Sequence, residues 1–141
     1  MTMEELTSRV IGLGMAVHRA HGSGFVESVY HRSLEIELAE AGISFESKSP
    51  LNVFYKGKPV GNFEADMIIR VGDLTLLLEL KAVETILKAH EVQLVNYLAA
   101  TKIDNGLLLN FGGQSFDFRH KYRLYQQKPK PRSSAQDIRF H

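Results

Sequence analysis

Two short runs constrain this chain more than anything else in it. Met67-Ile68-Ile69 and Leu76-Leu77-Leu78 are apolar at every position, and Gly72-Asp73 stands between them. A strand with one solvated face alternates apolar and polar side chains, so a run apolar at both parities needs cover on both sides. Gly-Asp between two such runs reads as the loop of a two-residue hairpin. Glycine comes first because the first central position of a type II′ turn requires a positive φ. The chain must therefore build a sheet with a layer on each face.

The rest of the sequence supplies those layers. Leu6, Val10, Leu13 and Val17, with Ala16 and Ala20 beside them, recur at helical spacing over residues 3–20, until "HGSG" breaks the pattern. Val26, Val29, Tyr30, Leu34 and Leu38 predict a second helix over 25–41, closed by Gly42. Strands are expected at about 50–55, 60–71 and 74–81. Helical spacing returns over 83–100 through Val83, Ile86, Leu87, Val92, Leu94, Val95 and Leu98. "GLLLNFGG" (106–113) reads as a buried strand beside this meander, and "SFDFRHKYR" as an edge strand. The order is that of an α/β sandwich, a mixed β-sheet flanked by helices in one domain over residues 1–123.

With 141 residues, 44% of them hydrophobic, the chain can bury one core. It has no cysteine, which excludes disulfides, thiolate zinc sites and thiol catalysis. No run approaches the roughly 20 apolar residues of a membrane span, and the polar, acidic start is unlike a secretory signal. A cytoplasmic protein is the default expectation, with no membrane partner. The net charge of +1 conceals an asymmetry. Residues 1–118 hold ten Lys/Arg against fifteen Asp/Glu, whereas 119–141 hold seven against the single Asp137. "QQKPKPRSSAQD" has a composition that cannot bury a core, so residues 124–141 are expected to form a flexible basic tail. Contact with a phosphate backbone is the alternative use of that charge.

The hairpin also predicts a register. If Val71 faces Leu74, then Asp66 faces Glu79 and Glu64 faces Lys81, and alternation puts all four on one side of the sheet. Facing side chains stand about 4.5–5.5 Å apart at Cβ, where two like charges are destabilising. A divalent cation would offset that repulsion: Mg²⁺ takes carboxylate oxygens and keeps several waters. The plainer alternative is a solvated face of surface charges with a cross-strand salt bridge. The apolar runs on either side weigh against it, because a carboxylate pair in buried strands needs a partner. Gln93 and Tyr97, four apart, share a helix face and could orient a phosphate or Lys81. Glu27, in the first turn of the second helix, reads by itself as a charge complementing the helix dipole. Lys56 and Lys58 flank Gly57 in a turn. The histidines, His31 among them, show no ligand spacing such as HExxH.

Taken together these pieces resemble a family. "GFVESVY" (Gly24, Glu27, Tyr30) looks like the signature of the GxxExxY proteins, which are placed in the PD-(D/E)XK superfamily of restriction-endonuclease-like nucleases. The likeness continues through "VHRAHGSGFVESVYHRSLEIELAEAGI", "VFYKGKPVGNFEADMII", "LLLELKAVE", "HEVQLVNYLAA" and "GLLLNFG", covering roughly residues 5–113. The resemblance implies that Asp66 and Glu79 are metal ligands, joined by Glu27 and the backbone carbonyl of Leu80. It implies that Lys81 is the catalytic lysine and that Gln93 and Tyr97 form a QxxxY element. Tyr30 is expected to pack the second helix on the sheet and so to fix Glu27. One departure stands out: Ala65 precedes Asp66 where the superfamily pattern has proline.

The implied activity is Mg²⁺- or Mn²⁺-dependent hydrolysis of nucleic-acid phosphodiesters, DNA or RNA. From another class comes a non-catalytic nuclease-fold module acting in oligomeric assembly or in protein or nucleic-acid binding. So small an acidic body would be helped by a homo-oligomer or a partner protein. A weaker third reading is binding without cleavage through the basic tail.

Overall fold

The computed structural model describes residues 1–124; the expected tail lies, from residue 125 on, outside them. Helices α1 (Met3–His21) and α2 (Glu27–Glu40) come first, then strands β1 (Phe45–Tyr55), β2 (Lys58–Val71) and β3 (Leu74–Lys81). Helix α3 (Lys88–Thr101) and strands β4 (Asn105–Asn110) and β5 (Asp117–Tyr122) follow. The strands form one mixed sheet in the order β1-β2-β3-β4-β5, with β3 and β4 parallel and the other pairs antiparallel. No helix among the described residues is long and apolar enough to cross a membrane.

Both faces of the central strands are covered, as their double-parity runs require. Met67, Ile69, Leu76, Leu78 and Leu80 pack under α1 and α2 with Leu6, Val10, Tyr30 and Leu34. Ile68, Leu77 and Leu108 pack under α3 with Leu94 and Leu98. The hairpin register holds from Val71–Leu74 to Met67–Leu78, with Gly72 at φ 57°. Helix α1 starts at a reciprocal cap: Thr2 Oγ1 accepts from the Glu5 N–H, and Glu5 Oε1 accepts from the Thr2 N–H.

Three elements differ from expectation. Strand β1 begins at Phe45, because the polar "FESKS" lies on the sheet edge, where Phe45, Glu46 and Ser47 pair with Ile69, Ile68 and Met67. Val26 caps α2 and is exposed rather than part of its apolar face. Helix α3 begins only at Lys88, since long-range contacts hold the chain just after Lys81 out of a helix. The Asn110 side chain accepts from the Val83 N–H (3.0 Å) and donates to the Val83 carbonyl (2.8 Å). Gly112 lies so close to the Ala82–Val83 peptide that a Cβ there would overlap its backbone atoms. A helical turn cannot form through a residue whose N–H and C=O are both committed elsewhere. Ile86 is still buried under α3, but Leu87 and Val92 are exposed.

Candidate active site

At Asp66 the sheet comes apart. The β2–β3 ladder stops at Met67–Leu78, and on the other side β1 turns through Lys48 at φ 55°. The β1–β2 ladder steps from Ser47–Met67 to Ser49–Ala65. Backbone groups freed in a buried place need new partners, and the two carboxylates provide them. The Asp66 N–H donates to Glu79 Oε1 (3.2 Å), and the Leu80 N–H donates to Asp66 Oδ2 (2.7 Å). The sequence-predicted facing of Asp66 and Glu79 is therefore present, as a pair of side chain–backbone bonds across parted strands. Glu64 facing Lys81 is not: the strands have separated, Glu64 pairs with Pro50 on β1 and its side chain is exposed. Strict alternation also fails here, since Ala65 and Ile68 both belong to the α3 side while Met67 lies opposite.

Glu79 is only 6% exposed, so the solvated-face alternative does not hold for it. Burial first, and the charge of Asp66 second, push its pKa from 4.5 up to about 8. Burial also raises Asp66, against the Leu80 N–H and the charges of His31 and Lys81, which favour its ionised form. Glu27, at the first position of α2, is raised by partial burial and by Asp66. The ammonium of Lys81 acts on all three acids but makes no hydrogen bond or ion pair among the described residues. Tyr97 of α3 faces the same cluster: its phenol is raised by burial and then by Glu79 and Asp66. Its ring stacks on Phe63 of β2 at 3.8 Å between centroids. Gln93 is exposed, one turn earlier on the helix.

Tyr30 explains the local form of "GSGFVESVY". It is fully buried and stacked on Phe111, and its hydroxyl donates to the Gly22 carbonyl (2.6 Å) and accepts from the Phe25 N–H (3.3 Å). The turn carrying Gly24 at φ 114° is thereby tied to the helix that starts at Glu27. Tyr30→Phe keeps the stacking and removes both bonds. A loss of about 1–2 kcal/mol is expected, read as a lower thermal midpoint.

Pattern reasoning missed three supporting residues. His31 is buried and acts electrostatically on Asp66, with Nε2 3.3 Å from Ser47 Oγ and 3.5 Å from Glu35. Phe63 backs Tyr97, and Asn110 anchors the chain just after Lys81. None follows a ligand spacing; only the three-dimensional register brings them in. Conversely, the basic stretch 119–123, from β5 and the residue after it, is neutralised: Arg119 pairs with Asp117 and Glu91, Lys121 with Glu91, and Arg123 with Asp104. An open groove of about 440 Å³ runs between α3 and β5, lined by Lys88, Glu91, Val92, Val95, Lys121 and Tyr122 among others. None of the clustered acids lines it.

Two acids and one lysine at the parting of β2 and β3, with a third acid from α2, make the pattern D…ExK. A sequence model of the PD-(D/E)XK nuclease superfamily matches residues 4–122. The chain belongs to that superfamily. No curated protein sequence matches it. The crystal structure of SSO0001 has the same fold, with a TM-score of 0.56 at 16% identity over 86% of this chain and 80% of that one.

PD-(D/E)XK nucleases typically use divalent metal ions. Among the described residues no three His, Asp or Glu side chains form a ready-made metal cage. The donor chemistry nevertheless fits such an ion. Glu27, Asp66 and Glu79 are hard oxygen donors, Lys81 opposes their repulsion, and burial followed by the charge of Asp66 raises Glu79, a shift that a bound cation would reverse.

Proposed function

We propose that this PD-(D/E)XK chain is a metal-dependent nuclease of the GxxExxY kind, hydrolysing nucleic-acid phosphodiester bonds with Mg²⁺ or Mn²⁺. One observation carries the reading: two desolvated carboxylates meet where β2 and β3 part, beside a lysine with no ion-pair partner among the described residues. A purely structural acid pair would be matched by a cation of its own. The motif "GFVESVY" supports the subtype.

Glu27, Asp66 and Glu79, with the Leu80 carbonyl, would hold the cation. Bound there, it supplies Lewis acidity to the scissile phosphate and makes a water a better nucleophile. Lys81 orients that water, or stabilises the charge that builds up on phosphorus in the transition state. Tyr97 stays protonated, its pKa being raised, and is a hydrogen-bond donor to a phosphate oxygen. Phe63 fixes its ring, and Gln93 adds an amide on the same helix face.

The test is a cleavage panel of linear, nicked and single-stranded DNA and of RNA, run with Mg²⁺, with Mn²⁺ and with chelator. Cation-dependent cutting of at least one class is expected. Intact substrates throughout would retire the nuclease in favour of a non-catalytic module.

A further inference from the structure

Strand β3 leaves β2 after Met67–Leu78, but β2 continues. From Ala65 to Lys58 it pairs with β1 alone, through seven rungs ending at Tyr55–Lys58. At 3.3 Å per residue this two-stranded arm is about 20 Å long. Because β2 and β3 are antiparallel and part at Asp66 and Glu79, the arm projects past the carboxylates on the side where β3 ends in Lys81. Its root is attached to the site itself, through the Phe63–Tyr97 stack.

The arm's surface is unusual. Phe54 is 60% exposed, Tyr55 65% and Val60 64%. A two-stranded ribbon is marginal by itself in water, and exposed rings on it gain nothing until a partner covers them. Its charge is one-sided as well: residues 47–63 contain Lys48, Lys56 and Lys58 and no acid, in a body otherwise rich in acids. The turn at the tip holds Lys56 at φ 51° and Gly57 at φ 78°, both left-handed, as a type I′ turn requires. The Lys56 ammonium lies 5.5 Å from the centre of the Tyr55 ring.

We propose that the β1–β2 arm is a clamp for an unpaired nucleic-acid strand, with Lys56 and Lys58 on backbone phosphates and Phe54 and Tyr55 stacked on bases. A second copy of the chain would cover the rings but leaves the lysines unexplained. A duplex would take the lysines but hides its base faces inside the stack. An unpaired strand accounts for both features, since rings and a basic track are what such strands bind. The clamp builds on the nuclease reading by assigning its substrate class, and it is tested separately from cutting.

The measurement is fluorescence anisotropy in chelator, where no cutting occurs, with a labelled single-stranded oligonucleotide and the blunt duplex of equal length. Wild type is compared with Phe54→Ser/Tyr55→Ser and with Lys56→Ala/Lys58→Ala, each first shown by thermal melting to fold. Single strands should bind more tightly than duplex. The ring variant should weaken them by about tenfold or more. The lysine variant should lower the slope of log affinity against log salt by about 1.4. Unchanged binding in both variants, preference for the duplex, or no binding by wild type would overturn the clamp. So would a wild-type dimer dissolved by the ring substitutions at unchanged oligonucleotide affinity, which assigns the rings to a second copy. A chain that binds through the arm but never cuts with Mg²⁺ or Mn²⁺ keeps the clamp and loses the nuclease; one that cuts equally without the rings does the reverse.

Discussion

Lys81→Ala is expected to lower the cleavage rate by at least about 10²–10³-fold while leaving divalent-cation binding intact, and Asp66→Ala to lose both. The two residues differ in what they touch. The Lys81 ammonium makes no hydrogen bond or ion pair among the described residues, so its removal strands no partner there. What disappears is a positive charge beside Glu79 and Asp66, available to a phosphate or a water. Asp66 is embedded: its Oδ2 accepts the Leu80 N–H, and its charge is a main cause of the raised Glu79 pKa. Removing it leaves a buried N–H unpaired, at about 1–3 kcal/mol, partly offset by relief of the repulsion on Glu79. The folded protein should survive, so lost activity reads as lost chemistry. Single-turnover cleavage and calorimetric titration with Mn²⁺ make the comparison. A Lys81→Ala protein cutting at the wild-type rate would remove the lysine from the mechanism.

The meeting of Asp66 and Glu79 is legible in the sequence because a two-residue turn leaves its hairpin no freedom of register, and a one-residue slip would turn the buried leucines outward. The parting of the strands at that point is not legible. It coincides with a missing Lys48–Asp66 rung on the other side of β2, where Lys48 takes a left-handed conformation that a lysine adopts only when its surroundings impose it. The late start of α3 is hidden for a similar reason. Val83, Ile86 and Leu87 have helical spacing, but Asn110, 27 residues further on, takes both backbone groups of Val83. Within α3 the spacing of Gln93 and Tyr97 is right, yet only Tyr97 has a ring partner beside the acids; Gln93 is exposed. Tyr30 was readable as a packing residue. Its grip on the turn before Glu27 needed the hydroxyl's direction, which no periodicity contains.

Without a divalent cation the protein should lose stability as pH rises toward 8, and the cation should restore it. Glu79 has a folded pKa of about 8 against an ordinary 4.5. Between those values the folded chain keeps a proton that the unfolded chain has released. By linkage, stability contributed by that proton is fully present below 4.5 and is lost as pH climbs through the window to about 8, a change on the order of a few kcal/mol. Every charged group facing Glu79 must be counted. Asp66 from β2 and Glu27 from α2 are raised and act in the same direction, while Lys81 opposes them. Tyr97 from α3 is raised from 10.0 and so stays neutral through the window. Elsewhere, the lowered pKa values of Glu5, Glu35 and Glu91 act below the window. His120, lowered from 6.5 by burial, gives the opposite slope only below 6.5, so the clean interval is pH 7 to 8. There the thermal midpoint of chelated protein should fall with pH. Mn²⁺ or Mg²⁺ should raise it more at pH 8 than at pH 6, because binding then competes with fewer protons. Glu79→Gln should flatten the chelated profile and abolish most of the cation's effect. Chelated wild type melting at one temperature from pH 7 to 8, in parallel with Glu79→Gln, would mean that the buried acid is already compensated, and the case for a cation at the parted strands would fall with it.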